Sequence, residues 1–514
     1  METVNFTGKN LINGEWVADG SVTFSAFNPA NLVELNTQFI EANSLEVTSA
    51  CAFAHEAFLA YKSIGFHQRI QFIETIIEEI KGQKENLLHF YQLETGLSAA
   101  RAKVEFDRTI FQFSSYLDDY RKGWALNCVI ETSDHSGFPD LRKMNIPLGP
   151  VVVFGASNFP FAYSTLGGDV ASALIAGCPV IVKAHPMHPH VCELSANVIL
   201  NALKKSNFPL GMFQQINAES FEISKELVRN EFVKAVGFTG SIKGGNAIQA
   251  YIKERKEPIP LFAEMGSANP ILVFQDALEQ HSEDIANKLV DSFTLSAGQF
   301  CTSPGIVVCQ KSDLTTKFIE TLVHSTREVA PQRMLHPRIF EGYENQLNKR
   351  KGKSTILLTS SNDLNDFTAQ IESVDLNEFV LNETLKEEVF GSYLLIVLCE
   401  SEIDFNRFLK HIEGQLTITV FSNNVQILDE ISEKAGRIIF NNVPTGVCVS
   451  SAMQHGGPYP SSSRVDSSSV GSQAIQRFMR PICYQSFNEK DLPEALRNTN
   501  NFGIFRKVNG NWEV

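Results

Sequence analysis

Ile70, Ile73, Ile76, Ile77 and Ile80 recur at three- and four-residue intervals, with Glu74, Glu78 and Glu79 between them. That period predicts an amphipathic helix whose apolar stripe packs on a larger body. From 131 to 147 the chain turns polar and carries Pro and Gly, which reads as a crossing segment or boundary. The run 150–154 (PVVVF) then predicts a buried strand, 155–160 a turn, 161–176 a helix of small residues closed by Gly177, and 178–183 a second strand. Strand, crossover helix and strand form a parallel pair of right-handed connection. A third strand, 233–238, ends in Thr239-Gly240-Ser241 and opens another helix. The theme repeats with strand-like runs at 270–274, 305–309, 394–398 and 416–421. The Ser-rich stretch 461–469 reads as an exposed loop. The tail from 481 stands apart from the alternation and is suited to an assembly arm.

Composition narrows the class. At about 150 residues per domain, 514 residues suggest roughly three units, and 43% hydrophobic with 20% charged residues is ordinary for a globular chain. Lys and Arg number 44 against 58 Asp and Glu, a net charge of −14, which disfavours a nucleic-acid partner. The nine cysteines are scattered, with no C-x-x-C, as expected of a reducing compartment. No basic region followed by an apolar run opens the chain, and the most apolar stretch, 170–182, is broken by Gly177 and Pro179. The expectation is a cytoplasmic protein with no membrane partner.

Four constellations could carry chemistry. Cys301 lies in SAGQFCTSPG just before a strand, where a thiolate could be favoured, although alone an inert buried thiol is the commoner reading. Glu264, in FAEMGSANP, sits where partial desolvation would raise a carboxyl toward the range of a general base, or where it simply faces solvent. Asn158 follows a strand and could donate to an oxyanion, although Asn is common in turns. Phe238-Thr239-Gly240-Ser241 opens a helix, with Gly244 and Gly245 a turn later, a weak diphosphate signal. His185, His188 and His190 invite a metal reading, but prolines break the spacing and no further ligand joins locally, so no metal is expected. No G-x-S-x-G is present.

In this order, over essentially the whole chain, these segments resemble the aldehyde dehydrogenase superfamily. The pieces include NLINGEWV from Asn10, ETGL from Glu94, PLGP from Pro147, FGASNFP from Phe154, Lys183, FTGS from Phe238, EMG from Glu264, GQFC up to Cys301 and EVFG from Glu388. Within the superfamily, FAEMGSANP, QHGGPYPSSS and SVGSQAIQRFMRPICYQ are most similar to the NADP-dependent group containing α-ketoglutaric semialdehyde (2,5-dioxopentanoate) dehydrogenases.

The resemblance implies an α/β fold: a Rossmann-like cofactor-binding domain (1–128 and 150–262), an α/β catalytic domain (263–480) and a small oligomerisation element (129–149 and 481–514). It implies Cys301 as nucleophile, Asn158 with the Cys301 amide as oxyanion donors, and Glu264 as the base that activates water. It places Phe154, Lys183, Pro186, Thr239, Gly240 and Ser241 on the adenosine and diphosphate side of NADP or NAD, and Glu388 and Phe390 at the nicotinamide end. Pro186 stands where NAD-preferring relatives carry an acid. The implied reaction oxidises a small-molecule aldehyde, α-ketoglutaric semialdehyde first and a medium- or long-chain aliphatic aldehyde second, in a homodimer or homotetramer. A non-catalytic relative is the remaining alternative.

Overall fold

The computed structural model describes residues 4–61, 64–361, 363–424 and 428–514. The isoleucine stripe forms the helix Phe66–Gly82, burying Ile73, Ile76, Ile77 and Ile80 and exposing its glutamates. Three larger sheets organise the α/β chain. The first runs Leu261–Glu264, Ala235–Thr239, Val151–Phe154, Val180–Ala184 and Phe213–Asn217 in parallel, then Asn10–Ile12 and Glu15–Val17 antiparallel. Its strands are near-continuous Val, Ile and Phe because helices cover both faces. Strand order reverses between Val151–Phe154 and Ala235–Thr239. Such a switch point leaves a crevice outside the carboxyl ends of the two strands.

The second sheet runs Thr355–Leu358, Gln370–Asp375, Tyr393–Cys399, Ile306–Gln310, Ile271–Val273, Gln415–Phe421 and Ala435–Phe440, parallel apart from the first edge strand. Glu264 ends the last strand of the first sheet, and only Met265–Pro270 separates it from the second. The carboxyl ends of one sheet therefore face the amino ends of the other. A third sheet joins Met479–Gln485, Leu141–Pro147, Cys128–Glu131, Arg506–Val508 and Asn511–Glu513. Thus the polar 131–147 segment and the tail pair with one another inside one chain.

Two expectations are corrected. The helix predicted at 161–176 begins only at Gly168. The amides of Phe161 and Ala162 donate to the buried Glu105 carboxylate instead, which holds that stretch in turns. Its end is as expected: Gly177 adopts a φ of +97°, where a side chain would be strained. The 461–469 stretch is a loop, exposed at Arg464, Val465 and Asp466 but buried at both ends. Ser461, Ser462, Ser468 and Ser469 are all buried. Their hydroxyls cap local backbone, and Ser461 O accepts the Met265 amide, so serine here satisfies buried polar groups. Among the described residues no helix is long and apolar enough to cross a membrane.

Candidate active site

A cavity of about 560 Å³ lies along the switch-point crevice. At one end are Lys183, His185, Ser224, Thr239, Gly240, Ser241 and Gly244. At the other are Asn158, Glu264, Cys301, Glu388 and Phe390. All the predicted site residues meet here except Pro186. His185, one residue earlier, lines the wall in its place. Proline cannot extend a strand, so the chain turns after Ala184 and presents the histidine. The cavity suits an elongated dinucleotide. Ser241 caps the helix Ile242–Lys253, accepting the Gly244 amide, and leaves first-turn amides for a phosphate. At Gly240 a Cβ would come within 2.7 Å of the Phe238 ring, and at Gly266 within 2.2 Å of Glu388 Oε2, so a side chain at either position would displace a wall residue.

Burial pulls the Lys183 amine down to about 8, against Cys192, Glu41 and Glu219. Burial, with His188 and Lys183 nearby, holds His185 well below the usual imidazole range, so it adds no charge at neutral pH. Burial pushes Glu388 up to about 8, against one amide from Ser267.

The loop that carries Cys301 is built under strain. Ser296, Ala297 and Gly298 all take left-handed backbone, with φ of 52°, 56° and 69°. Gln332 holds this turn by accepting the Ala297 amide and donating to Thr294 O. Asn269 Nδ2 then donates to the carbonyls of Cys301 and Ser303. Asn158 Nδ2 donates to Gln299 O at 2.9 Å, which sets its amide beside Cys301.

Two partners of Cys301 and Glu264 escaped the sequence reading. His455 Nε2 lies 3.6 Å from Cys301 Sγ and 2.8 Å from Glu264 Oε1. Ser469 Oγ donates to Glu264 Oε2. Both arrive on loops 154 and 205 positions away in the chain, where no periodicity marks them. The one available signal was a histidine in the segment QHGGPYPSSS.

The electrostatics of the pair are opposed. Burial would raise the Glu264 carboxyl, but His455, Ser469 and Cys301 outweigh it and hold the group below its usual range. Burial, then the Glu264 and Glu388 charges, push the Cys301 thiol well above its usual range, with Arg108 pulling the other way. The site therefore holds a thiol beside a carboxylate, with a histidine ring donating to that carboxylate, an arrangement able to supply a nucleophile and a base.

The aldehyde dehydrogenase family matches residues 16–481, and the chain belongs to it. The chain is 36% identical over 518 residues to the α-ketoglutaric semialdehyde dehydrogenase of Acinetobacter baylyi, covering 98% of each chain. It is 37% identical to α-ketoglutaric semialdehyde dehydrogenase 2 of Azospirillum brasilense, covering 99% of this chain and all of that one. Among solved structures, the NADP-dependent glyceraldehyde-3-phosphate dehydrogenase of Bacillus halodurans, complexed with NADP, superposes with a TM-score of 0.80 at 19% identity, over 94% of this chain and 99% of that one.

Proposed function

We propose that the chain oxidises α-ketoglutaric semialdehyde to 2-oxoglutarate through a thioester on Cys301. The observation that carries this is the cluster of Cys301, His455 and Glu264 at the end of the long cavity, with Asn158 beside the thiol. The thiol proton of Cys301 passes to solvent water, while His455 Nε2–H donates to the Glu264 carboxylate at 2.8 Å and holds it in place. Sγ then bonds to the aldehyde carbon. The oxygen's charge is met by the Asn158 amide and the Cys301 N–H. Glu388 and Phe390 would hold a nicotinamide at that end of the cavity, and the group would supply the acceptor for the hydride that leaves that carbon. Glu264 then accepts a proton from water as its oxygen attacks the thioester. The thiol is restored and the carboxylate released. We take the first sheet as the cofactor-binding unit, the second as the catalytic unit and the third as an assembly element.

The two relatives at 36% and 37% identity support the semialdehyde as substrate. For the cofactor we propose NADP⁺ used at least as well as NAD⁺. A carboxylate about 4 Å from a 2′-phosphate would cost on the order of 4 kcal/mol at an effective dielectric near 20. Pro186 carries none, and Lys183 stands at that end of the cavity. Assays of kcat/KM for α-ketoglutaric semialdehyde against hexanal, each with both cofactors, test both statements. The semialdehyde should exceed hexanal, NADP⁺ should at least match NAD⁺, and Pro186→Glu should shift preference toward NAD⁺. Better turnover of hexanal rejects the substrate, and strong native preference for NAD⁺ rejects the cofactor assignment.

We also propose a homodimer or homotetramer. Met479–Gln485 and Asn511–Glu513 are the edge strands of the third sheet, and an unpaired edge invites a second copy. Sedimentation at micromolar concentration should show the oligomer, and a monomer rejects it.

A further inference from the structure

A second group of side chains gathers around Cys301 without lining the cofactor cavity. Phe159, Tyr163 and Phe300 form a small apolar cluster, with the Tyr163 and His455 rings 6.3 Å apart. Three arginines surround it. Arg101 lies 4.4 Å over both Phe159 and Phe300 and 3.8 Å from the Glu105 carboxylate, so its charge is matched.

The other two make no ion pair among the described residues, although the Glu105 charge also acts on Arg108 from a distance. Arg108, on the helix Ala99–Arg121, donates to Tyr163 Oη at 3.3 Å, Gln112 Oε1 at 3.2 Å and Val447 O at 3.4 Å. Arg437, on the strand Ala435–Phe440, donates to Pro444 O at 2.6 Å and Gly446 O at 3.1 Å, and its Nε is buried with no partner. Every one of these acceptors is neutral. Among the described residues neither guanidinium has a carboxylate within ion-pair distance. Both grip one short segment, 444–447, and that segment is tied to the residue after the nucleophile: the Gly446 amide donates to Thr302 Oγ1 at 3.2 Å. Both charges reach the thiol, since Arg108 opposes the upward shift of Cys301 and Cys301 in turn acts on Arg437. Arg464, the other arginine near this region in sequence, is engaged with Asp466 through Nε and Nη2 at 2.9 and 2.7 Å and is spent.

Half-buried guanidinium groups lacking a counter-ion are costly until an anion arrives. We propose that Arg108 and Arg437 form the subsite for the carboxylate of an ω-carboxylated aldehyde, with Phe159, Tyr163 and Phe300 around its carbon chain. This rests on the reading of Cys301 as the nucleophile and of a keto-acid semialdehyde as its substrate.

The test compares α-ketoglutaric semialdehyde with pentanal, which has the same chain length and no carboxylate, in wild type, Arg108→Met, Arg437→Met and Arg437→Lys. The ratio of their kcat/KM values should fall at least ~10-fold in each Met variant, mainly through KM for the acid, and Lys should restore part of it. Calorimetric binding of 2-oxoglutarate to the cofactor-free protein should weaken in parallel. Should a Met variant fail to fold, Arg437→Lys and the binding measurement on folded protein decide. An equal fall for both aldehydes with 2-oxoglutarate binding unchanged overturns the arginine assignment alone. A wild type that oxidises pentanal but not the semialdehyde overturns the substrate reading itself.

Discussion

Cys301→Ala is expected to lower aldehyde oxidation by at least ~10⁴-fold while leaving NAD(P)⁺ binding intact. The scale follows from chemistry: without sulfur no covalent adduct forms, and neither His455 nor Glu264 can replace the bond. The thiol is only partly buried, so losing it leaves no large void in a core. Cys309→Ala is the internal control. That residue is fully buried in the strand Ile306–Gln310, and burial, with Cys399 nearby, pushes its thiol up. Its loss should cost about 1 kcal/mol of stability and little turnover. Cofactor titration by fluorescence and steady-state rates on both variants check this. Equal loss of turnover from both, with folding intact, rejects Cys301 as nucleophile.

Glu264→Gln separates the two halves of the reaction. Loss of the Cys301 proton to solvent and attack of the sulfur on the aldehyde do not need Glu264, so one hydride transfer per site should still occur in that variant. Hydrolysis of the thioester should then stall by ~10²–10⁴-fold, the usual worth of a positioned base. The expected trace is a rapid burst of reduced cofactor, about stoichiometric with sites, followed by slow turnover. Because the native carboxyl is held below its usual range, the wild-type base stays ionised through neutral pH and loses function only as pH falls through that lowered value. The burst should disappear only if Glu264 acts before hydride transfer, and stopped-flow absorbance distinguishes the cases.

Much of this arrangement was legible in the residues. The Val151–Phe154, Val180–Ala184 and Ala235–Thr239 strands read directly, because a sheet covered on both faces shows itself as unbroken apolar runs. The meeting of Cys301, Glu264 and Asn158 followed from resemblance, since no local period marks residues on three separate turns. What stayed hidden shares one physical cause. Glu105 takes the amides that would have begun a helix at Phe161. His185, not Pro186, faces the cavity because of how the chain turns after its strand. His455, Ser469 and Arg437 act only through contacts far along the chain, and a run of serines looks alike whether it faces water or a carboxylate.

The late position of the 444–469 segment also bears on when the site comes into being. Loop closure over long separations is an entropic cost met before any contact rewards it. Ser469 meets Glu264 across 205 positions and His455 meets Cys301 across 154. A chain still emerging from the ribosome therefore carries its sulfur and carboxylate without the histidine and serine that hold the carboxylate, or the segment gripped by both arginines. Its thiol is then an ordinary exposed one, and the burial and charge that surround it in the site are acquired together with the last long-range contacts of folding.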